Sequence, residues 1–350
     1  MSERVLTLGE LNRALLARQM LLERCSISVG DALERLVGMQ SQEPQAPYIG
    51  LWSRLEGFRP EQLSDLIADR KAVRGALMRA TVHLVTAADW QRLSALTAPV
   101  LARAFKGSQF SKQLGGADPE QVVTAARELL SVTALSRADL GPALAARWPG
   151  ADPPSLAQAA TMLMPVVQVP PRGLWRASGQ AKWITADVWL PDAAVEHERV
   201  ETIVRRYLAA FGPATVKDIQ AWSGLTRLKQ VVDGMREELC SFRDEQGREL
   251  LDVPGAPLPE AGCPAPARLL PPFDNTILGH SDRTRVIDPA HWQAVSQDRL
   301  LRMFLVDGFV AGSWSVADGQ IFTRPLVPLS AKATRELAQE TERLQAFLRA

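Results

Sequence analysis

Residues 195–254 read VEHERVETIVRRYLAAFGPATVKDIQAWSGLTRLKQVVDGMREELCSFRDEQGRELLDVP and carry the pattern that decides the fold. Apolar residues recur at helical spacing until Gly212–Pro213, where the first helix is expected to end. Thr215, with Asp218 three positions later, predicts a capping box that opens a second helix, and Thr226 is predicted to cap a third. Two short strands, CSFRD and RELLDVP, follow around a turn. Three helices and a two-stranded wing in this order indicate a winged helix-turn-helix unit.

The same order of elements recurs twice more, less clearly, nearer the N-terminus. In the first third, the sequence predicts a helix over 8–23, a second helix that Ser28 and Asp31 cap, and a wing over 72–85. In the middle third, it predicts a helix over 119–130, a second helix that Ser136 and Asp139 cap, a third over 155–164, and a wing over 175–189. Recurrence of one supersecondary unit is typical of a tandem array. We therefore predict an α+β fold in which tandem winged helix-turn-helix units occupy residues 1–110, 111–193 and 194–255.

The character of the sequence changes after Pro254. The stretch PGAPLPEAGCPAPA is a linker by composition, and the segments ARLLPPF, RTRVI, MFLVDGFVAGSWSV and QIFTRPLVPL that follow are typical of strands. An amphipathic helix is predicted over 330–348. We expect a C-terminal β-barrel-like domain at 264–350, with the winged-helix units packed around it.

The composition is that of a globular protein of 350 residues, with 46% hydrophobic and 23% charged residues. The longest uncharged stretch, 153–171, contains five prolines, so no membrane span is expected. The first residues, MSERVLTLGELNR, lack the apolar stretch of a signal peptide, and three separated cysteines fit neither a disulfide framework nor a zinc site. A cytoplasmic location follows, on the nucleoid when bound to DNA. Although the net charge is only +1, the basic segment 202–236 is compatible with a groove for a polyanion.

Signatures of cofactor or metal chemistry are missing from the sequence. It contains no glycine-rich phosphate loop, HExxH or GxSxG motif, and its four histidines are widely separated. We therefore expect no cofactor and no metal.

One short motif could carry chemistry, in the stretch GMQSQEPQAP at 38–47. Gln40 and Gln42 are two positions apart, and Pro44 favours an extended chain here, so both amides are expected on the same side. Two neighbouring amides can hold a water molecule through their oxygens and NH2 groups. The alternative is a polar loop between two helices with no chemical role.

The QSQ motif, which follows LERLVGM, resembles the QxQ motif of the AlkZ-like DNA glycosylases, also described as a winged helix DNA-binding domain family. The other segments that match, in the family's order, are MRATVHLVTAADW, FGPATVKDIQAWSGL, LLPPFDNTILGHSDRTRVI and LVDGFVAGSW. The resemblance implies tandem winged helices arranged as a C around a β-barrel. It also implies hydrolysis of the N-glycosidic bond of alkylated purines, with bulky N7 adducts and interstrand crosslinks as substrates of the QxQ branch. The YcaQ-type branch has QxD, so Gln42 places this chain nearer the AlkZ branch, which often serves antibiotic self-resistance.

Two glutamines suffice for such a substrate because N7-alkylation already makes the leaving base cationic. The remaining tasks are to place water and to stabilise an oxocarbenium-like sugar, and the amide oxygens of Gln40 and Gln42 can perform both. The nearest lysine in sequence is Lys71, so a Schiff-base lyase is not expected. We predict a monofunctional glycosylase with an open cleft, because a crosslinked base cannot be flipped out freely.

The expected partner is double-stranded DNA with alkylated bases, bound by a monomer. The candidate DNA-binding residues are Arg205, Arg206, Arg227 and Lys229 on the helices of the third unit, Arg79 and His83 in a family-matching segment, and His280, Asp282 and Arg283 in a predicted hairpin tip. The helix residues could equally form a solvated face. The predicted tip could instead be a tight turn in which Asp282 and Arg283 form an ion pair.

A second function remains open at this point. Winged helices in most proteins bind DNA without catalysis, so the chain could be a regulator or a sequestering resistance protein. A protein-interaction scaffold is a third alternative. Release of a base from alkylated DNA separates the enzyme from both.

Overall fold

A computed structural model describes residues 4–190, 198–298 and 300–349 and shows a mixed α+β protein. The helices are, in chain order, α1 (Leu8–Arg18), α2 (Val29–Arg35), α3 (Ala46–Trp52), α4 (Pro60–Ala68), α5 (Ala87–Lys106), α6 (Pro119–Leu130), α7 (Arg137–Ala145), α8 (Pro153–Leu163), α9 (Ala186–Trp189), α10 (Val200–Phe211), α11 (Val216–Ser223), α12 (Leu228–Gly234), α13 (Asn275–Leu278), α14 (Trp292–Gln297) and α15 (Ala331–Arg349). The strands are β1 (Val5–Leu6), β2 (Met39–Gln40), β3 (Ala72–Ala76), β4 (Val82–Thr86), β5 (Leu135–Ser136), β6 (Val166–Gln168), β7 (Lys182–Thr185), β8 (Cys240–Asp244), β9 (Glu249–Asp252), β10 (Arg268–Leu269), β11 (Met303–Val306), β12 (Phe309–Ala317) and β13 (Gln320–Pro325).

The residues group by contact into two compact units. The first compact unit contains Met1–Arg59, Glu201–Trp222 and Thr226–Ala350, and the second contains Pro60–Val200 and Ser223–Leu225. The boundaries of the four predicted segments remain a prediction, and the boundary at 193/194 lies outside the described residues.

Long-range pairing holds the separate stretches of the first compact unit together. Strand β1 pairs in parallel with β8, and β8 pairs antiparallel with β9. The fully buried guanidinium of Arg18 forms a two-pronged ion pair with Asp252, at 2.6 and 2.7 Å, and also donates to the carbonyl of Leu208 at 2.8 Å. These contacts join helix α1 to strand β9 and helix α10.

Aromatic contacts complete the core of this unit in two places. The rings of Tyr207 and Phe211 stack with centroids 5.0 Å apart, and Trp222 lies 5.1 Å from Tyr207. Near the C-terminus, Phe347 of α15 contacts Trp52 and Phe58, at 6.0 and 5.9 Å between centroids. Helix α15 therefore packs against the end of α3 and the chain that follows it.

The C-terminal sheet of the first compact unit is open. Its strands follow the order β10-β11-β12-β13 with antiparallel neighbours, and no pairing among the described residues closes it into a barrel. The segment RTRVI, predicted as a strand, forms turns instead. Its Arg285 is buried, and the guanidinium donates to the carbonyl of Pro213 at 3.0 Å. The expectation of a closed barrel-like domain is therefore not met.

In the second compact unit the strands follow the order β4-β3-β6-β7-β5, all in antiparallel pairs. The pairing of β3 with β6, at Arg74 and Gln168, joins the wing predicted for the first third to a strand of the middle third. The predicted wing at 175–189 is misplaced, since its first strand is β6 and Trp175 lies between strands. Helices α5 to α8 supply a shared apolar core.

Three of the four predicted helix caps are present. The backbone N–H groups of Asp31, Asp139 and Asp218 donate to the hydroxyls of Ser28, Ser136 and Thr215 at 3.1, 3.2 and 3.1 Å. The prediction for Thr226 is wrong, because the residue before α12 is Arg227, in the left-handed conformation and without a side-chain cap.

None of the helices in the described ranges is long and apolar enough to cross a membrane.

Candidate active site at the QSQ motif

The chain reverses sharply before the QSQ motif. Helix α2 ends at Arg35, and Val37 and Gly38 then take positive φ angles of 54° and 84°. The N–H of Gly38 donates to the carbonyl of Leu33 at 2.8 Å, so one of the last carbonyls of helix α2 has a hydrogen-bond donor. A glycine suits this conformation because it has no Cβ to clash. Strand β2 starts directly afterwards and carries Gln40.

Helix α3, which follows the motif, is buried along its whole length. Its Gly50 allows a close approach: a Cβ there would lie 2.2 Å from Cε of Met39 and 3.2 Å from Pro271. The QSQ motif is therefore held between two packed helices and a later segment of the chain, and it is not a loose polar loop.

The two glutamine amides of the motif are in direct contact. Nε2 of Gln40 donates to Oε1 of Gln42 at 2.8 Å. Gln40 is 7% exposed and Ser41 is fully buried, whereas Gln42 is exposed. The buried amide thus orients the exposed one, and the second lone pair of the Gln42 oxygen remains for another donor.

A groove of about 340 Å³ begins at the residues that follow the motif. Glu43 and Gln45 line one part of it, and Arg302 and Trp314 line another. All four residues belong to the first compact unit.

Several candidate DNA-binding residues form exposed ion pairs. Arg205 pairs with Glu238 at 2.5 Å and Lys229 with Asp233 at 2.6 Å. Exposed pairs of this kind contribute little to stability, so both cations can exchange their partners for phosphate at small cost. Arg206 instead donates to the carbonyl of Glu34 at 2.9 Å. Arg227 is exposed, and Arg79 is partly buried with a φ of 54°.

The segment His280-Ser281-Asp282-Arg283 is not a hairpin tip, because no strand flanks it on either side. Asp282 pairs with Arg248 at 2.6 Å, and the guanidinium of Arg283 lies 4.8 Å from the ring centre of Trp292. The alternative of an Asp282–Arg283 ion pair is therefore also not what the structure shows.

The two candidate histidines lie inside the protein, which corrects the expectation that they contact DNA. His83 is 1% exposed, and burial together with Arg79 lowers its pKa to about 3. His280 is 4% exposed, its Nε2 lies 3.1 Å from the carbonyl of Phe211, and burial with Arg285 lowers its pKa to about 3. Both rings are therefore neutral near pH 7. Among the described residues no group of three histidines, cysteines or carboxylates is placed to hold a metal ion.

Comparison with known proteins adds the family to this geometry. The family model described as DNA glycosylase AlkZ-like matches residues 33–347, which include the QSQ motif. The chain belongs to the AlkZ-like DNA glycosylase family. It is 30% identical over 139 residues to the interstrand DNA cross-link repair glycosylase of Streptomyces sahachiroi, and the match spans 37% of each chain. The solved structure of Streptomyces sahachiroi DNA glycosylase AlkZ has a TM-score of 0.78 at 21% identity and covers 98% of this chain and 97% of its own, so the two share a fold.

The residues that support the motif in this AlkZ-like chain were missed from the sequence. Nδ2 of Asn275 donates to the carbonyl of Gly38 at 2.7 Å. Arg54 donates to the carbonyl of Gly50 at 3.0 Å and forms a buried ion pair with Asp274 at 2.9 Å. Asp274 and Asn275 fall in the family-matching stretch LLPPFDNTILG, which marks them as candidates. Nothing in the local sequence shows, however, that they lie near Gln40.

Proposed function

We propose that this chain is a monofunctional DNA glycosylase that hydrolyses the N-glycosidic bond of cationic N7-alkylated purines, including bulky adducts and interstrand crosslinks. The observation that carries the proposal is the direct contact between the amides of Gln40 and Gln42, in a QSQ motif that resembles the family's QxQ and lies within the matched residues 33–347. The name of the Streptomyces sahachiroi relative, an interstrand DNA cross-link repair glycosylase, supports the substrate class.

The amide pair suits a substrate that needs no general acid. An N7-alkylated purine already has a positive charge, so the leaving base departs without protonation. Gln40 holds the amide of Gln42 in one orientation, and the exposed oxygen of Gln42 accepts a hydrogen bond from the attacking water. The partial negative charge of that oxygen also favours the positive charge that develops on the sugar. A neutral base lacks the activated leaving group and is expected to be a poor substrate.

The product is expected to be an intact abasic site, because the motif offers amides and no amine. Lyase activity proceeds through a Schiff base with an amine, which borohydride traps as a covalent protein–DNA adduct. Borohydride added during the reaction should therefore trap no adduct. A trapped adduct would show lyase chemistry and refute the monofunctional assignment.

DNA binding in the proposed enzyme uses winged-helix elements of the third segment. Helices α10 to α12 and strands β8 and β9 follow one another in the predicted order, and the partly exposed Arg205 and the exposed Arg227 and Lys229 are proposed to contact phosphates. We propose that the protein acts on double-stranded DNA as a cytoplasmic monomer.

The first experiment uses a duplex with one N7-methylguanine, followed by alkaline cleavage of abasic sites. Wild-type protein should give strand breaks, and the Gln40→Ala/Gln42→Ala double variant should bind DNA but give none. Gln293→Ala/Gln297→Ala removes two exposed glutamines of α14 and serves as the matched control that retains activity. Excision by the Gln40/Gln42 variant would refute the assigned site.

The alternative, a DNA-binding protein without catalysis, is favoured only by the winged-helix order of elements. It predicts binding without base release from every substrate. A duplex with an interstrand crosslink separates this alternative from an enzyme restricted to bulky adducts. Absence of release from both duplexes, with binding intact, would favour the alternative.

A further inference from the structure

Asn275 reaches the QSQ motif from a distant part of the sequence. It is the first residue of α13, it is 6% exposed, and its Nδ2 donates to the carbonyl of Gly38 at 2.7 Å across 237 residues of chain. The bond is short for an N–H donor and a carbonyl acceptor, and it is buried, so removing the donor leaves a buried carbonyl to be satisfied in another way.

The carbonyl of Gly38 belongs to the peptide that leads into β2, two residues before Gln40. Glycine places few steric limits on its own backbone rotation, so the direction of this peptide must be fixed by contacts. The hydrogen bond from Asn275 fixes the plane of the peptide at the point where the chain leaves the turn after α2. The direction in which Gln40 extends from β2 depends on that plane.

The neighbours of Asn275 hold the other side of the motif. Asp274 caps α13 through the N–H of Thr276 at 2.8 Å and forms the buried ion pair with Arg54, which also donates to Gly50 in α3. Residues 274–276 thus contact the chain both before and after the QSQ motif. One short segment therefore holds the chain on both sides of the QSQ motif.

We propose that Asn275 is a positioning residue for the Gln40–Gln42 amide pair and sets the rate of base excision without touching the substrate. This inference rests on the proposed glycosylase function for its kinetic readout. A misplacement of catalytic groups by about 1 Å can cost about a hundredfold in rate, so loss of this bond is expected to lower the rate constant at least about tenfold.

A matched control exists elsewhere in the same compact unit. Asn12 is fully buried, and its Nδ2 donates to the carbonyls of Arg285 and Gly308 at 2.7 and 2.8 Å. The same substitution at Asn12 and Asn275 therefore removes the same kind of buried donor. Only Asn275 donates to the chain that leads into the motif.

The test compares Asn275→Asp with Asn12→Asp in the full-length protein, at saturating enzyme and under single-turnover conditions on the N7-methylguanine duplex. An ionised carboxylate repels the carbonyl of Gly38, whereas a protonated one donates an O–H to it, and burial favours protonation. Asn275→Asp should excise at least about tenfold more slowly than wild type at pH 7.5 and recover much of the loss at pH 6.0. Wild type and Asn12→Asp should show no such recovery.

A second measurement does not depend on activity. Hydrogen exchange, followed by mass spectrometry of a peptide that spans residues 38–45, should be faster in Asn275→Asp than in wild type and unchanged in Asn12→Asp. If Asn275→Asp does not fold, Asn275→Ala and Asn12→Ala provide the same comparison without a buried charge.

The outcomes separate the two proposals. Equal rates and equal exchange in the Asn275 and Asn12 variants would overturn the positioning role while leaving the glycosylase intact. If wild type releases no base from any substrate, the proposed function fails, and the exchange of residues 38–45 still decides whether Asn275 orders the motif. Slow excision that recovers at lower pH only in Asn275→Asp supports the proposal.

Discussion

Buried histidines should make the folding stability of this protein fall as the pH is lowered from 7 to 5. The pKa of His83 is lowered to about 3 by burial and by the positive charge of Arg79. The pKa of His280 is lowered to about 3 by burial and Arg285, although the negative charges of Asp218 and Asp282 act in the opposite direction. Both histidines stay neutral in the folded protein over a range in which an unfolded chain takes up protons.

The sign and size of the effect follow from this difference in proton binding. In the unfolded chain, His83 and His280 each bind a proton below a pH of about 6.5. In the folded protein, the same two histidines bind no proton until about pH 3. The free energy of unfolding is therefore fully present above pH 6.5. It decreases by about 1.4 kcal/mol per pH unit for each histidine as the pH falls further. Between pH 7 and 5 this amounts to about 2 kcal/mol for each and about 4 kcal/mol for both.

Urea unfolding at half-unit steps between pH 7 and 5 measures this slope. His83→Asn keeps an N–H near the position of the ring Nδ1, and His280→Gln keeps one near Nε2, so each variant retains a donor but cannot titrate. Each should remove the share of the slope that belongs to its histidine, and the double variant should be nearly independent of pH in this range. A wild-type free energy that does not change between pH 7 and 5, or slopes that are equal in all variants, would refute the reasoning.

Two further predictions concern the buried ion pair and the packing of a glycine. Asp252→Asn should destabilise the protein by about 3–5 kcal/mol in urea unfolding, because it leaves the guanidinium of Arg18 buried without its counter-charge. The double replacement Arg18→Met/Asp252→Leu should cost less than Asp252→Asn alone, and a larger cost for the double variant would contradict this account. Gly75→Ala should destabilise by about 1–3 kcal/mol, because its Cβ would lie 2.3 Å from the ring of Trp90, whereas Gly234→Ala, with nothing within 4 Å of the new Cβ, should be neutral or stabilising. Equal midpoints for these two glycine variants in urea would contradict the packing argument.

The parts of the fold that sequence predicts are those set by local interactions. The caps at Ser28, Ser136 and Thr215 depend on a partner three residues away, so spacing alone identifies them. Strand β1 has two residues and pairs with β8 far along the chain, and no local pattern can announce such a pair. The misplaced wing of the middle third has the same cause, because β6 and β7 are separated by a long connection without a tight turn.

In the candidate site, too, the local arrangement could be predicted and the tertiary contacts could not. The alternation of an extended chain predicted that Gln40 and Gln42 lie side by side, and the amides do meet at 2.8 Å. Their catalytic role remains a prediction. The positions of Asn275 and Arg54 could not be predicted, since their contacts to the motif come from tertiary packing. His280 was misjudged for a related reason: its ring packs beside the cluster of Tyr207 and Phe211, which only the folded chain brings together.

The division of the first compact unit into three stretches has a consequence for synthesis. Residues 60–200 are nearly all of the second compact unit and leave the ribosome as one continuous piece, so this unit can fold while translation continues. The N-terminal stretch with the QSQ motif must wait for Asn275 and for Phe347, which packs against Trp52. A nascent chain therefore carries this motif without its support until residues 275 and 347 have been synthesised. Closing such long loops is slow, and a prematurely terminated chain would leave the motif unassembled.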